Sequence, residues 1–393
     1  ICIVLVCSHA LAHTDPIRRG IETAAAWPTS GPAAYGLVTV LAGLASLVTG
    51  ALGLVVGALA AQAIARKGSE RGLRLHFPLL VASGYGGFLI WHMGYSGTAP
   101  LAVATPGHTL ESVMGILPVT ETTYTLWNLG LAGFTLAAVA LVCSRMSPPD
   151  AEIIELTEDA ASSLERADLG GGGSAVAALK TQAETPADRL DESRVLSAVL
   201  GLLFLVFIGH WLATRGFQLT LDLVNWSFLG LGLVLARSPR HYMALIADAS
   251  RTLGPIILQY PLYAAVVALI TQTELVDLFS DGFVALSSAE TLGFWAFVSG
   301  GALNFFVPSG GGQWAVQGPI FLEAARELGV RDAVVVMGVA YGDQWTNMIQ
   351  PFWALPMLAI VGLSARSIMG YCFVIFLTAF LCLGGGMLWL GAG

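Results

Sequence analysis

Of 393 residues, 55% are hydrophobic and 11% are charged, where a soluble domain carries about 25% charged residues; a soluble fold is excluded. Several uncharged stretches exceed the ~20 residues that carry a helix across a hydrocarbon core, and they lack the alternation of transmembrane strands, so the class is all-α and polytopic. The net charge of −8 carries no nucleic-acid signal, because residues 145–194 alone hold eleven acids against five bases.

The chain opens without Met on an apolar run, ICIVLVCSHALA, which reads as the remaining half of a membrane helix, with further chain expected upstream. Membrane segments follow at about 33–65, 75–105, 126–143, 195–213, 221–236, 253–271, 291–322, 333–362 and 367–390. Segments 33–65 and 291–322 hold no charge, yet carry Gly50, Gly53 and Gly57 in one and Gly310, Gly311 and Gly312 in the other. A straight helix of 32 residues would run ~48 Å, too long without strong tilt. Both therefore read as re-entrant hairpins broken at the glycines. The five cysteines show no CxxC and no metal-ligand spacing, and read as helix packers.

Basic residues set the orientation. Arg66, Lys67, Arg71 and Arg74 follow the first hairpin, and Arg237, Arg240 and Arg251 occupy a later loop; both loops are expected in the cytoplasm. Residues 323–332 carry balanced charge and are expected outside. Residues 144–194, with the glycine tract 170–173 and Pro186, read as a flexible cytoplasmic linker between a first repeat at 1–143, incomplete at its start, and a second at 195–393. An offset of 256 brings Tyr85-Gly86 onto Tyr341-Gly342 and Pro100 onto Pro356, and an offset of 255 brings Thr49 onto Asn304. These coincidences point to inverted repeats with the site between them near the midplane.

Four stretches carry candidate chemistry. Asn304-Phe-Phe-Val-Pro-Ser-Gly-Gly-Gly-Gln-Trp314 places amides, the Ser309 hydroxyl and three glycines inside an apolar run. Irregular backbone at that depth must be buried in protein or line a cavity, and N–H groups at a helix start suit an anion. A packing hinge is the alternative. Asn304, Ser309, Gly310, Gly311, Gly312, Gln313 and Trp314 are candidate substrate contacts. In Tyr341-Gly-Asp-Gln-Trp-Thr-Asn-Met-Ile-Gln-Pro351, Asp343 is the only acid after Asp332, and an intramembrane carboxylate is a functional group by default. With Thr346, Asn347 and freed carbonyls it is a candidate Na⁺ site or a proton carrier; packing is the alternative. Gln344, Trp345 and Asn347 are further substrate candidates, and Pro351 should help break the helix. In the first repeat His92 sits between glycines at the predicted break, with Ser96 and Thr98 as hydroxyl donors and Thr49 at the hairpin. His76 and His108 read as interfacial.

These residues resemble the short-chain fatty acid uptake transporter family. The resemblance lies in Asn304 to Pro319, in Tyr341 to Pro356, and in Gly86 to Gly107 with its Trp91-His92, Ser96-Gly97 and Ala104-Thr-Pro-Gly107. Thr49 and Gly50 depart from the family pattern, which has Asn and Trp there. The resemblance implies uptake of acetoacetate, butyrate or a similar small carboxylate, an inverted-repeat fold with elevator-type movement, a bacterial inner-membrane location in the lipid bilayer, and a homodimer. No cofactor is expected beyond Na⁺ or H⁺ as coupling ion. No Arg or Lys lies in any of the four stretches, so glycine N–H groups and amides would meet the substrate's charge. Phe305, Phe306, Trp314 or Trp345 would meet its alkyl part. An anion channel is one alternative, and an intramembrane enzyme using His92 and Asp343 as acid and base is another.

Overall fold

The computed structural model describes residues 2–156, 185–251, 253–273, 275–350 and 352–392. The glycine tract 170–173, most of the expected linker and Pro351 lie outside the described residues. Among the described residues every regular element is helical. Five helices are long and apolar enough to cross a membrane by length and composition: Gly31–Val48, Gly50–Glu70, Leu126–Arg145, Arg194–Arg215 and Ala365–Gly391. The protein is an all-α polytopic membrane protein.

The first charge-free run is two helices packed on each other, Gly31–Val48 and Gly50–Glu70, joined through Thr49 alone, which is extended at φ −159° and ψ 141°. The break thus falls ahead of Gly53 and Gly57. Those two glycines lie within the helix and mark close contact: a Cβ at Gly53 would sit 1.8 Å from Ser46 Oγ, and one at Gly57 3.2 Å from Gly84 Cα. The second run divides into Leu292–Leu303 and Gly310–Leu328. Its break spans 304–309, and the three glycines begin the second arm instead of forming the bend, with Ser309 capping them through Oγ and Gly312 N–H.

Each hairpin is followed by an interrupted helix. Phe77–Phe88 ends in a 3₁₀ turn at Trp91–Met93 and resumes as Thr98–Ala104, while Asp332–Thr346 resumes as Ala354–Val361. The leading piece of each packs on both arms of the hairpin before it, and the trailing piece crosses to the other half. Thr98–Ala104 lies on Gly310–Leu328, and Ala354–Val361 lies on Gly50–Glu70. Both halves show this exchange, which brings the two breaks and the two hairpin bends into one region.

Glycines permit the closest approaches. A Cβ on Gly87 would lie 2.5 Å from the Thr39 carbonyl oxygen, and one on Gly342 2.2 Å from that of Phe297. The two glycines are 255 residues apart, as are Thr49 and Asn304.

On one side of the molecule ion pairs gather the basic loops. Arg66 and Lys67 reach Glu22, Arg74 reaches Glu155, Arg237 reaches Asp15, and Arg240 reaches Asp188. Glu155 and Asp188 lie in the two described parts of the expected linker, 144–156 and 185–194, so both loops expected in the cytoplasm share a side with it. The Thr185 hydroxyl and amide, then the Arg240 guanidinium, hold the Asp188 carboxyl down at about 2. The expectation that His76 is interfacial meets a more specific role: its Nδ1 accepts from Ile154 N–H at 3.0 Å.

Because backbone opposes any side chain at residue 342, Gly342→Ala should cost about 1–3 kcal/mol, the usual range for overpacking. Gly370→Ala, with nothing within 4 Å of its Cβ, should not destabilise. Thermal midpoints of the purified variants in detergent check this contrast.

Candidate substrate and ion site

Interrupting a helix inside the membrane frees carbonyls that need donors, and side chains from other elements supply them. At the first break the Met93 carbonyl accepts from Asn128 Nδ2 at 3.0 Å, and Tyr341 O–H donates to Asn128 Oδ1 at 2.5 Å. At the second the Asn347 carbonyl accepts from Tyr85 O–H at 2.7 Å. The hairpin bends are served likewise: Tyr95 N–H donates to the Leu47 carbonyl at 2.7 Å, and Gln350 Nε2 donates to the Asn304 carbonyl at 3.2 Å.

Between the breaks lies a polar cluster without solvent access. His92, Asn304, Gln313, Asp343, Gln344 and Asn347 are all fully buried. Asp343 takes His92 Nε2 on Oδ2 at 2.8 Å and Gln313 Nε2 on Oδ1 at 2.9 Å. His92 N–H donates to Gln344 Oε1 at 3.0 Å, so the first break is bonded to the second at both main chain and side chain. The Asn304 amide nitrogen stands at the focus of three oxygens: the Asp343 carbonyl at 3.0 Å, Thr346 Oγ1 at 3.0 Å and Asn347 Oδ1 at 2.7 Å. Behind the cluster, Gln317 Nε2 donates to Gln313 Oε1 and Ser299 O–H to Gln317 Oε1. Among the described residues no lysine or arginine pairs with Asp343. Among the described residues three polar atoms of the cluster have no partner: His92 Nδ1, Gln344 Nε2 and Asn347 Nδ2.

Beside this cluster is a cavity of about 500 Å³. Thr49, Ser96, Thr98, Ser309 and Gly311 give it hydroxyls and a hairpin bend from each half. Phe88, Trp91 and Trp353 give it an aromatic wall, their ring centres 5.7 to 6.0 Å apart. Gly50 and Ala51 begin a helix there whose N-cap, Thr49, makes no side-chain capping bond, so the first-turn amides receive no acceptor from that side chain. Among the described residues no basic residue lines it, and one acidic residue, Asp222, does. Successive residues of the second hairpin touch both regions. Ser309 and Gly311 line the cavity, a Cβ on Gly310 would lie 2.3 Å from His92 Cε1, and Gln313 bonds to Asp343.

The sequence profile described as short chain fatty acid transporter matches residues 1–390. A protein of Escherichia coli (strain K12), provisionally named a short-chain fatty acid transporter, is 36% identical over 372 residues, 94% of this chain and 81% of its own length. A protein of Haemophilus influenzae of the same provisional name is 33% identical over 379 residues, again 94% and 81%. The chain belongs to the short chain fatty acid transporter family. Transporters and not enzymes make up that family, so the acid–base reading of His92 and Asp343 falls away, and the protein is placed as a multi-pass protein of the bacterial inner membrane. No solved structure matches the chain.

The residues singled out in this family member fall into three groups. Thr49, Ser96, Thr98, Ser309 and Gly311 meet at the cavity, with Thr98 Oγ1 accepting from Gly311 N–H at 3.2 Å. His92, Asn304, Gln313, Asp343, Gln344, Thr346 and Asn347 meet in the buried cluster, flanked by Gly310 and Gly312. The aromatics lie elsewhere. Trp314 is packed among Ala99, Val103 and Phe321, and Trp345 stacks on Phe376 at 4.6 Å while donating Nε1–H to the Phe376 carbonyl at 3.0 Å. Phe305 and Phe306 are exposed. None of the four lines the cavity: Trp314 and Trp345 turn to apolar neighbours, and Phe305 and Phe306 lie exposed in the 304–309 bend. Phe88, Trp91, Trp353, Asn128 and Gln317 take parts that the sequence reading did not assign.

Removing the Asn304 amide strips a donor from three buried oxygens, and an unmet buried group costs about 1–3 kcal/mol. Asn304→Ala should therefore lower the thermal midpoint in detergent, whereas truncating exposed Phe305 should leave it near the parent value.

Proposed function

We propose that the protein is a secondary active transporter that takes up a small monocarboxylate, such as butyrate or acetoacetate, with Na⁺ or H⁺. The observation that carries this reading is the cavity between two hairpin bends and two helix breaks. One part of its lining suits a carboxylate even with Asp222 in the wall: the Thr49, Ser96, Thr98 and Ser309 hydroxyls beside the helix start at Gly50 and Ala51, the arrangement that serves anions where no cation is present. The other part suits a short chain, since Phe88, Trp91 and Trp353 offer apolar area worth about 0.8 kcal/mol per buried methylene.

The buried cluster next to it suits the coupling ion. Three oxygens, the Asp343 carbonyl, Thr346 Oγ1 and Asn347 Oδ1, converge on the Asn304 amide nitrogen, and unwound carbonyls at a half-helix C-terminus are where such folds hold Na⁺; Asp343, Thr346 and Asn347 would be the ligands once the Asn304 amide swings aside. The His92–Asp343 pair is the corresponding proton carrier. Because Gly310 contacts His92 while Ser309 and Gly311 face the cavity, occupation of either region acts on the same hairpin. Movement is proposed as alternating access of elevator type in a homodimer built from two inverted repeats, in keeping with the crossed packing of the trailing helix pieces.

The test is uptake of labelled butyrate and acetoacetate into proteoliposomes, with Na⁺ and pH gradients imposed separately and protein-free vesicles as control for diffusion of the neutral acids. The parent should show saturable, gradient-driven uptake of at least one acid. Asp343→Asn should lose the response to the coupling gradient. Failure of both acids under every gradient would overturn the assignment. Enlarging the aromatic wall by Trp353→Ala should shift preference toward longer acids by roughly threefold or more per methylene, read from relative kcat/KM along a chain-length series.

A further inference from the structure

A second cavity, of about 330 Å³, adjoins the first and shares Asp222 with it. The two follow the same helices. Leu101, Ala102 and Val224 line the central cavity, and Ala104, Thr105 and Leu223 line the second. The second lies where Thr98–Ala104 ends and where the chain turns from Arg194–Arg215 into Leu221–Leu235. Those ends are opposite to the ends held near the linker by Arg74 and Arg240.

This cavity has what the central one lacks, a basic residue in its wall. Arg215 lines it, with the guanidinium 4.1 Å from the centre of the Trp211 ring, and it makes no ion pair among the described residues. Stacking on an indole orients a guanidinium while leaving its in-plane N–H donors available. Phe217 and Trp226 supply apolar surface in the same wall. Arg215 also closes its helix, where a cation is favourable in itself. Lysine would serve that end equally well, whereas planar bidentate contact with a carboxylate requires the guanidinium.

We infer that this cavity is an outer station at which Arg215 receives the small carboxylate before it passes to the central cavity. Asp222, on the common wall, repels the same anion and keeps its residence at Arg215 short, since a conducting path needs binding weak enough to release. The inference rests on the transport reading above.

The test measures initial rates of labelled acetoacetate uptake by the full chain in proteoliposomes, at fixed coupling gradients and over a range of ionic strength set with choline chloride. Arg215→Gln should raise KM about two- to fivefold, as loss of one exposed charge contact does, with Vmax held and with the salt dependence of KM flattened. Arg215→Lys should recover only part of that loss, and Asp222→Asn should lower KM. Parent KM and parent salt dependence in both arginine variants would overturn the station while leaving the transport reading intact. So would a lysine variant equal to the parent beside a glutamine variant that loses Vmax and thermal stability together, since that pattern belongs to a helix-end role. No saturable uptake by the parent would remove both readings.

Discussion

A carboxylate with no accessible surface, Asp343, sets the terms for everything near it. Taking such a group out of water costs several kcal/mol even after relaxation, and among the described residues no lysine or arginine compensates it. It is held by a histidine from the first break and a glutamine from the second hairpin, while an asparagine at the head of that hairpin bonds to its main chain. Each donor comes from a different element, so the cluster forms only when both halves are in place. The crossed packing of the trailing helix pieces delivers that arrangement, and the glycines at 87 and 342 let the helices come close enough for it.

The cavity and the cluster divide the chemistry. The cavity is lined by aromatic rings, small side chains and hydroxyls, with Asp222 on the wall it shares with the second cavity, and under the proposed function it takes the short organic anion, which must also be released. The cluster is lined by amides, a carboxylate and an imidazole, which the proposed function assigns to the coupling ion or proton. Between them runs one strip of the second hairpin, where neighbouring residues face opposite ways. A ligand on one side can influence the other only through a differential contact with a movable element, and residues 309–313 are the element that contacts both.

Much of this was legible in the sequence. Charge-free runs interrupted by glycine and polar residues marked where each run splits into two helices and where each following helix breaks, since such residues at membrane depth need a reason to be there. His92 and Asp343 were visible for the same reason, and the structure places them in contact. The exact bends were less legible. Gly53 and Gly57 suggested a break, yet they serve helix contact, and Thr49 alone turns the chain; glycine marks closeness of backbone as readily as it marks a turn. The aromatic wall gave no signal at all. Phe88, Trp91 and Trp353 look in sequence like Trp314 and Trp345, and only the direction of each side chain from its helix separates cavity lining from packing. The bonding roles of Asn128 and Tyr85 were equally silent, because a donor for a freed carbonyl is recognised only once the carbonyl is located.

The most direct measurement of the central claim, a site reached from one side at a time, is counterflow. Proteoliposomes preloaded with unlabelled acetoacetate, at a pH where the acid is wholly ionised, are diluted into trace labelled acetoacetate with no ion gradient. A carrier with the site described here should accumulate label transiently above its equilibrium level, and the overshoot should saturate with internal acid. Label that only equilibrates, at a rate proportional to its concentration, would show an open path and contradict the account.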